Sequence, residues 1–322
     1  MKTSPYVKVV LNEAEKFGIK ARRIGNSKSI FALQRKNKFT YVYQTLTELV
    51  SDPYYTIAAN KFLTSYTLKK AGFPVPEFKL IKDYSEAINF LKRHKKIVIK
   101  PLSANRGKGI TIGIKTEEDL RRAVNFALKH TSKKKLQKTY SKCVLAEKAV
   151  PGDDHRILVI DYKHIFAIKK IPAYVIGNGK DTIRQLINRK NREKKEHKRK
   201  IVIDESLEHV LARQDLNLQD VPIMDDRVFV RRTANLATGG ETIDITDKVN
   251  PNIKKMAIDA AKALQMTVAG FDFMCRDYTK DKGFFIEVNP IPGFMMHHYP
   301  HQGRKRNPAK KLIQMLIKHH KI

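Results

Sequence analysis

The sequence predicts a mixed α/β (α+β) protein of about two domains, and three observations predict it. Its 322 residues exceed the usual size of one domain and suffice for a sizeable core. Runs with the period of strands are interleaved with runs with the period of helices along the chain. Two β-forming runs, Val268 to Met274 and Gly283 to Pro290, flank the polar stretch Cys275 to Lys282, the pattern of an antiparallel hairpin.

That hairpin carries the first chemical signal. Side chains alternate with period two, which puts Glu287 and Asn289 on one face. Any register that pairs Asp272 with either of them adds a third oxygen ligand there. Phe271, Phe273, Ile286 and Val288 are expected to give the opposite face its core. Two carboxylates and an amide oxygen suit a hard cation, and Mg²⁺ accepts such a site when phosphate supplies further oxygens. Solvent-facing strand residues explain either carboxylate alone. An acidic face in a chain this basic favours metal.

Composition bounds the rest. Hydrophobic residues make up 42% of the chain, and no apolar run approaches the roughly 20 residues of a membrane helix. The N-terminus lacks the apolar core of a signal peptide, so a cytoplasmic protein without a membrane partner is expected. Cys143 and Cys275 are too few for a disulfide framework and sit in apolar runs, as small core residues do. The net charge of +32 makes nucleic acid or another polyanion a candidate partner. Lys is spread along the whole chain, which favours a solvated basic surface. Residues 189–200 hold eight Lys or Arg without an interleaved aromatic, a poor platform for stacking bases.

In order, residues 1–55 predict a short N-terminal α/β unit, with a helix over Val10 to Phe17 and strands over Ser29 to Leu33 and Phe39 to Val42. Residues 56–322 are expected to form the second domain. Asn60 to Ala71 reads as a helix closed by Gly72; it carries Lys61. The strand Ile97 to Pro101 carries Lys100 and runs into the loop Ser103-Ala104-Asn105-Arg106-Gly107-Lys108-Gly109. Its glycines allow backbone N–H groups to close over a phosphate, though a plain hairpin loop fits equally. It is neither a Walker loop nor a dinucleotide fingerprint.

Thr116 and Asp119 cap a helix whose Leu120, Ala123, Val124, Ala127 and Leu128 face a core. The strand Lys142 to Lys148 leads through Glu147, Lys148 and Val150 to Asp154, an edge able to offer backbone groups to a purine and a carboxylate to a ribose. Arg156 to Ile160 and Ile165 to Ile171 predict a hairpin. Gly177 and Gly179 precede a helix capped by Asp181 or Thr182, and Asp204 to Gln214 predicts another. The strand Val228 to Arg232 ends in Arg231 and Arg232, followed by Asn235, Gly239 and Gly240, which suits a planar anion. Ile253 to Leu264 predicts a core-facing helix, and a basic amphipathic helix follows Arg304. No Ser-His-Asp or Cys-His constellation is present as a motif.

Taken in order, Val98-Ile99-Lys100-Pro101 with Asn105, Gly107 and Gly109, then Val175 to Leu186, Arg231 to Thr246, Ile286 to Gly293 and Gly303 to Leu316, resemble the ATP-grasp ligases. The likeness is greatest to the ATP-grasp portion of the cyanophycin synthetases, which is glutathione synthetase-like, and covers about Thr56 to the end. It implies an ATP-grasp fold with residues 56–150 including a lid subdomain and 151–322 a catalytic subdomain. It also implies ATP and Mg²⁺ (two ions, with Mn²⁺ as an alternative) as cofactors. Lys61 and Lys100 are then expected on the phosphates, Ser103, Asn105, Gly107 and Gly109 in the lid, and Glu147, Lys148 and Val150 at adenine. Asp154 falls at the ribose, Asp272, Glu287 and Asn289 on the metal, and Arg231 or Arg232 with Asn235 at the transferred phosphoryl group. Arg156 is a substrate contact or a salt-bridge partner.

Arg106 stands where the family pattern has His. The chain is expected to be the ATP-grasp portion alone, without the Mur-ligase-like domain of cyanophycin synthetases, and so to make one kind of amide bond. The expected reaction is ATP-dependent joining of an amino-acid or peptide carboxylate to an amine. A phosphotransferase (kinase), or a nucleic-acid-binding protein on the same scaffold, are the alternatives.

Overall fold

The computed structural model describes residues 5–102, 108–131, 142–193, 199–280 and 282–320. Contacts divide the chain into a first unit of Met1–Ala167, Ile245–Tyr299 and Lys305–Ile322, and a second of Ile168–Asp244 and Pro300–Arg304.

The first unit begins with helix α1 (Pro5–Lys16), longer than the periodicity of Val10 to Phe17 predicts. Val7, Val10 and Ala14 recur at helical spacing and are buried. Strands β1 (Lys20–Arg23), β2 (Ile30–Arg35), β3 (Lys38–Tyr43) and β4 (Leu46–Thr47) form an antiparallel meander in that order. The expected strands are β2 and β3; β1, basic and lacking apolar alternation, is not legible as a strand. Helices α2 (Asp52–Ala59) and α3 (Lys61–Lys70) follow. The Asn60 side chain accepts from Phe62 N and Leu63 N, which caps α3 and makes Lys61 its first residue.

A four-stranded antiparallel sheet is built from β5 (Phe78–Ile81), β6 (Ile97–Pro101), β7 (Thr111–Ile114) and β8 (Val144–Lys148), in the order β5-β8-β6-β7. Helices α4 (Tyr84–His94) and α5 (Glu117–Lys129) pack on it through Ala87, Phe90, Leu91, Leu120, Ala123 and Ala127. Thr116 caps α5 by accepting from Asp119 N at 3.1 Å, as the sequence predicts. Cys143 packs with Leu102 and Leu145.

Strands β9 (Asp153–Ile160) and β10 (His164–Ile171) are joined by a tight turn. Asp161 and Tyr162 both have positive φ, and Lys163 N bonds Ile160 O, so the turn is of the mirror type that matches strand twist. The second unit holds β11 (Tyr174–Ile176), α6 (Ile183–Arg192), α7 (Glu205–Ala212), β12 (Arg227–Phe229) and β13 (Glu241–Asp244). Thr182 caps α6 in a reciprocal capping box with Gln185, while Asp181 pairs with Arg189 at 2.8 Å. Strand β12 ends at Phe229, so Arg231 and Arg232 lie beyond it. Of the basic run 189–200, residues 194–198 lie outside the described residues.

The chain closes the first unit with α8 (Pro251–Ala263), β14 (Val268–Cys275), β15 (Phe284–Asn289), the short α9 (Met295–His298) and α10 (Pro308–His320). Leu312, Ile313 and Leu316 of α10 are fully buried in a core with Val10, Leu158 and Phe294, each worth about 1.5–3 kcal/mol of burial. Among the described residues no helix is long and apolar enough to cross a membrane.

Candidate active site

The predicted hairpin forms: β14 and β15 pair antiparallel, with Gly270 opposite Asn289, Phe271 opposite Val288 and Asp272 opposite Glu287. Opposed residues share a face, so the two carboxylates are direct cross-strand neighbours. One expectation is corrected. The register slips after Asp272 so that Phe273 faces Phe285 and Ile286 is the extra residue of a bulge. Phe285, not Ile286, therefore completes the core face. Its ring lies 5.0 Å from Phe271 and 5.2 Å from Phe273. The bulge lets Phe285 point into the core while Glu287, two residues on, points to the opposite face.

Each carboxylate is matched by a basic side chain from another element of the same unit. Lys61 is 6% exposed, and its Nζ donates to Glu287 Oε1 at 2.9 Å. The first turn of α3 is anchored where it must be, since Lys61 N bonds Leu102 O at the end of β6. Arg156 stands opposite Asp272 in the β9–β14 register. Its Nε is 3.0 Å from Asp272 Oδ1, and Nη1 donates to Gly270 O at 3.4 Å. With its amide oxygen turned toward the guanidinium, Asn289 accepts from Nη1 at 3.1 Å and Nη2 at 3.2 Å. Of the two readings of Arg156, the salt bridge is the one present. Asp154, two residues earlier on β9, shares the Arg156 face by strand alternation and is half-buried.

The donor set fits a divalent cation. Asp272, Glu287 and Asn289 offer hard oxygens from adjacent strands, and in this structure Arg156 and Lys61 supply the positive charge that the two carboxylates require. Among the described residues no group of three or more His, Cys, Asp or Glu is arranged for a metal ion. A third protein oxygen on this face could come only from the Asn289 amide, which here accepts from Arg156.

On the four-stranded sheet of β5 to β8, Lys100 of β6 and Glu147 of β8 are diagonal neighbours, both under 5% exposed. Lys100 Nζ donates to Glu147 Oε2. The next residue, Lys148, points outward to Glu77 at 3.3 Å, and that hydrogen bond is the main reason the Glu77 carboxyl is held below its usual pKa. Lys148 N bonds Glu77 O and Ala149 N bonds Lys96 O. The donors along this edge are thus engaged until Val150. Gly109 has φ +73°, and a Cβ there would meet His130 Cβ at 2.8 Å, so only glycine fits. Ser103, Asn105, Arg106 and Gly107 lie outside the described residues.

In the second unit the two candidate arginines part company. Arg231 is buried and clamps Asp204, the cap of α7, through Nη1–Oδ1 at 2.7 Å and Nη2–Oδ2 at 2.9 Å, with Val202 O at 2.6 Å. The bond from Arg231 is the main reason the Asp204 carboxyl titrates low. Arg232 is exposed; partial burial of its guanidinium, and then the charge of Arg213, lower its pKa. Asn235 shapes the turn that follows, accepting from Ala237 N at 2.9 Å. Gly239, at φ +96°, sits where a Cβ would strike Ile201.

Nearby, Glu241 accepts from Lys190 at 2.6 Å and from the Tyr174 hydroxyl at 3.0 Å. Burial alone would raise the Glu241 pKa, but the Lys190 bond and charge turn the shift downward. Nothing in the sequence singles out this network, because its members are 16 to 67 residues apart.

Residues 67–231 match the model of the prokaryotic glutathione synthetase ATP-grasp domain, and residues 227–316 that of the RimK-like ATP-grasp domain. A cyanophycin synthetase from a Synechocystis species is 36% identical over 81% of the chain, which spans 30% of that protein. A glutathione biosynthesis bifunctional protein from Clostridium perfringens is 31% identical over 96% of the chain and 40% of its own length. The chain thus spans well under half of these curated relatives. The crystal structure of a bifunctional glutathione synthetase from Pasteurella multocida superposes with a TM-score of 0.71 at 26% identity, over 98% of this chain and 44% of that one.

Proposed function

The chain belongs to the ATP-grasp family, and from that premise we propose that it is an ATP- and Mg²⁺-dependent carboxylate–amine ligase. Its substrates are an amino acid or short peptide bearing the carboxylate, and an amine. The observation that carries this reading is the cross-strand pair Asp272–Glu287 with Asn289 beside it, backed in the same unit by Lys61 and by the buried Lys100–Glu147 pair.

A carboxylate resists attack because its negative charge repels nucleophiles. Transfer of the γ-phosphoryl group of ATP to a carboxylate oxygen gives an acylphosphate and ADP. The amine then attacks the acyl carbon and phosphate leaves with the original carboxylate oxygen. Such chemistry needs positioning and charge neutralisation rather than a protein nucleophile. Asp272, Glu287 and Asn289 are the residues to hold Mg²⁺ (two ions, with Mn²⁺ as a substitute), which supplies charge neutralisation to the phosphates.

Lys61 and Lys100 donate to phosphate oxygens when nucleotide displaces part of their carboxylate pairing. Ser103, Asn105, Gly107 and Gly109 contribute the lid. Glu147 and the Val150 backbone receive adenine, with Lys148 shaping the edge, and Asp154 receives the ribose hydroxyls. Of the two arginines we assign anion binding to Arg232, since Arg231 is held by Asp204; Asn235 positions the turn beside it. A cytoplasmic location accords with the supply of ATP. The strong positive charge favours an acidic acyl substrate by steering.

The test is a pairwise screen of amino acids and short peptides with ATP and Mg²⁺, reading phosphate release and product mass. The ligase reading expects release only with two partners, and a product weighing their sum less one water. Release with one partner, yielding its phosphate ester, would instead identify a kinase.

A further inference from the structure

The meander β1–β4 has one face in the core and one in water. Phe31, Leu33, Thr40 and Val42 take the buried side. On the other side of β3, Phe39, Tyr41 and Tyr43 are 58%, 49% and 42% exposed. Three aromatic rings at alternate positions of one strand, all open to solvent, are a costly surface to leave bare. The register continues each row across the sheet: Phe39 lies beside Gln34 and then Lys20, and Tyr41 beside Ala32 and then Arg22. The exposed Lys20 and Arg22 of β1 therefore lie in the same rows as the rings, two strands across the sheet at about 10 Å.

The strands of this face carry charge of one sign, and the nearest acid in sequence, Glu48, accepts from Thr40 on the buried side. From Lys20 to Thr47 the sequence has seven Lys or Arg and no Asp or Glu. An apolar partner would gain nothing from that bias, whereas a polyanion with flat apolar faces gains from both features. We propose that this face binds single-stranded RNA, with bases stacked on Phe39, Tyr41 and Tyr43 and phosphates drawn to Lys20 and Arg22. The Phe39 and Tyr41 rings meet edge to face, with centroids 5.5 Å apart and planes at 72°. Bases in a stack repeat at about 3.4 Å with parallel faces, so rings in this arrangement receive bases already parted from each other. A duplex keeps its base faces inside and cannot supply them. The tyrosine hydroxyls and Gln34 add donors and acceptors suited to ribose 2′-hydroxyls. This site is independent of the ligase reading, and none of its residues belongs to the candidate active site.

The chain contains no tryptophan, which makes a direct test available. A Tyr41→Trp protein carries a single indole on the face, and its fluorescence should be quenched by a short oligouridylate. A duplex of the same length or inorganic polyphosphate should leave it unchanged at equal phosphate concentration. In parallel, anisotropy of labelled oligouridylate should show binding weakened about 5- to 100-fold by Tyr41→Thr, a loss of one stacking ring on a residue that keeps the strand. Lys20→Gln with Arg22→Gln should weaken it and flatten its salt dependence.

Unquenched indole under conditions where the oligomer binds would overturn the proposal, because binding would then lie elsewhere. Equal affinity for polyphosphate, tighter binding of oligothymidylate, or no measurable binding would overturn it too. So would a wild-type dimer that Tyr41→Thr converts to a monomer, since the rings would then be covered by a second copy.

Discussion

Lys61 and Glu287 are 226 positions apart in the chain, and the lysine Nζ donates to the carboxylate at 2.9 Å. The first residue of α3 is thereby tied to β15, with the lysine almost wholly buried and the carboxylate about a quarter exposed. A basic group and an acidic group that both suit a metal–nucleotide complex already face each other. Glu287→Gln should remove a metal ligand while keeping the shape of the hairpin. Turnover should fall at least about 100-fold, more than loss of an outer-shell contact, and the thermal melt should also drop, because the buried Lys61 is left facing a neutral amide. Phosphate release over a Mg²⁺ titration checks this; wild-type turnover at low Mg²⁺ would remove Glu287 from the metal.

The Lys100–Glu147 pair makes a different demand. Lys100→Met leaves a buried carboxylate without its cation and should cost about 3–5 kcal/mol of stability. The double variant Lys100→Met, Glu147→Leu should regain most of that, because an apolar pair replaces an ionic one. Both variants should bind ATP more weakly. Urea unfolding separates the first effect from the second, which calorimetry reads.

Arg231 and Arg232 should behave oppositely despite being neighbours. Arg231→Ala breaks the clamp on Asp204 and should cost about 1.5–3 kcal/mol, the scale of a hydrogen bond to a charged group. Arg232→Ala should leave the melt unchanged and lower kcat/KM. A matched pair of melting curves and rate measurements decides; an Arg232→Ala protein with full activity would return that side chain to the solvated surface.

His297 carries a pH signature. Burial, and then the Arg156 charge, lower its pKa to about 3, whereas in the unfolded chain it titrates near 6.5. Below about pH 6.5 the unfolded chain binds a proton that the folded protein refuses, so stability falls as pH drops toward 3 and is fully present above neutrality. Between pH 7 and pH 5 this histidine should cost about 2 kcal/mol. Between pH 7 and pH 5 the unfolding free energy from urea titration should fall by about 2 kcal/mol more for wild type than for His297→Gln.

Much of this was legible from spacing. Alternation in Val268 to Met274 and Phe284 to Asn289 is enough to announce the hairpin, though not the register that sets Asp272 against Glu287 rather than Asn289, and the cap Thr116 announces its helix. The bulge at Ile286 was not, because one extra residue reverses the parity from which faces are read. The adjacent Phe284 and Phe285 are the only trace it leaves. The roles of Arg231 and Arg232 were equally hidden, since the partner that sequesters Arg231 is Asp204, 27 residues upstream. Strand β1 and the aromatic face of β3 escaped for a related reason: Lys20 to Arg23 has no apolar side, and its pairing with Phe31 to Gln34 supplies the strand.

The central claim is that a carboxylate is activated by phosphorylation before the amine attacks. With the substrate pair found in the screen, the carboxylate can be labelled with heavy oxygen and the released phosphate examined by mass spectrometry. The acylphosphate route requires one labelled oxygen to appear in inorganic phosphate for each amide formed. Phosphate free of label, at full amide yield, would contradict the account.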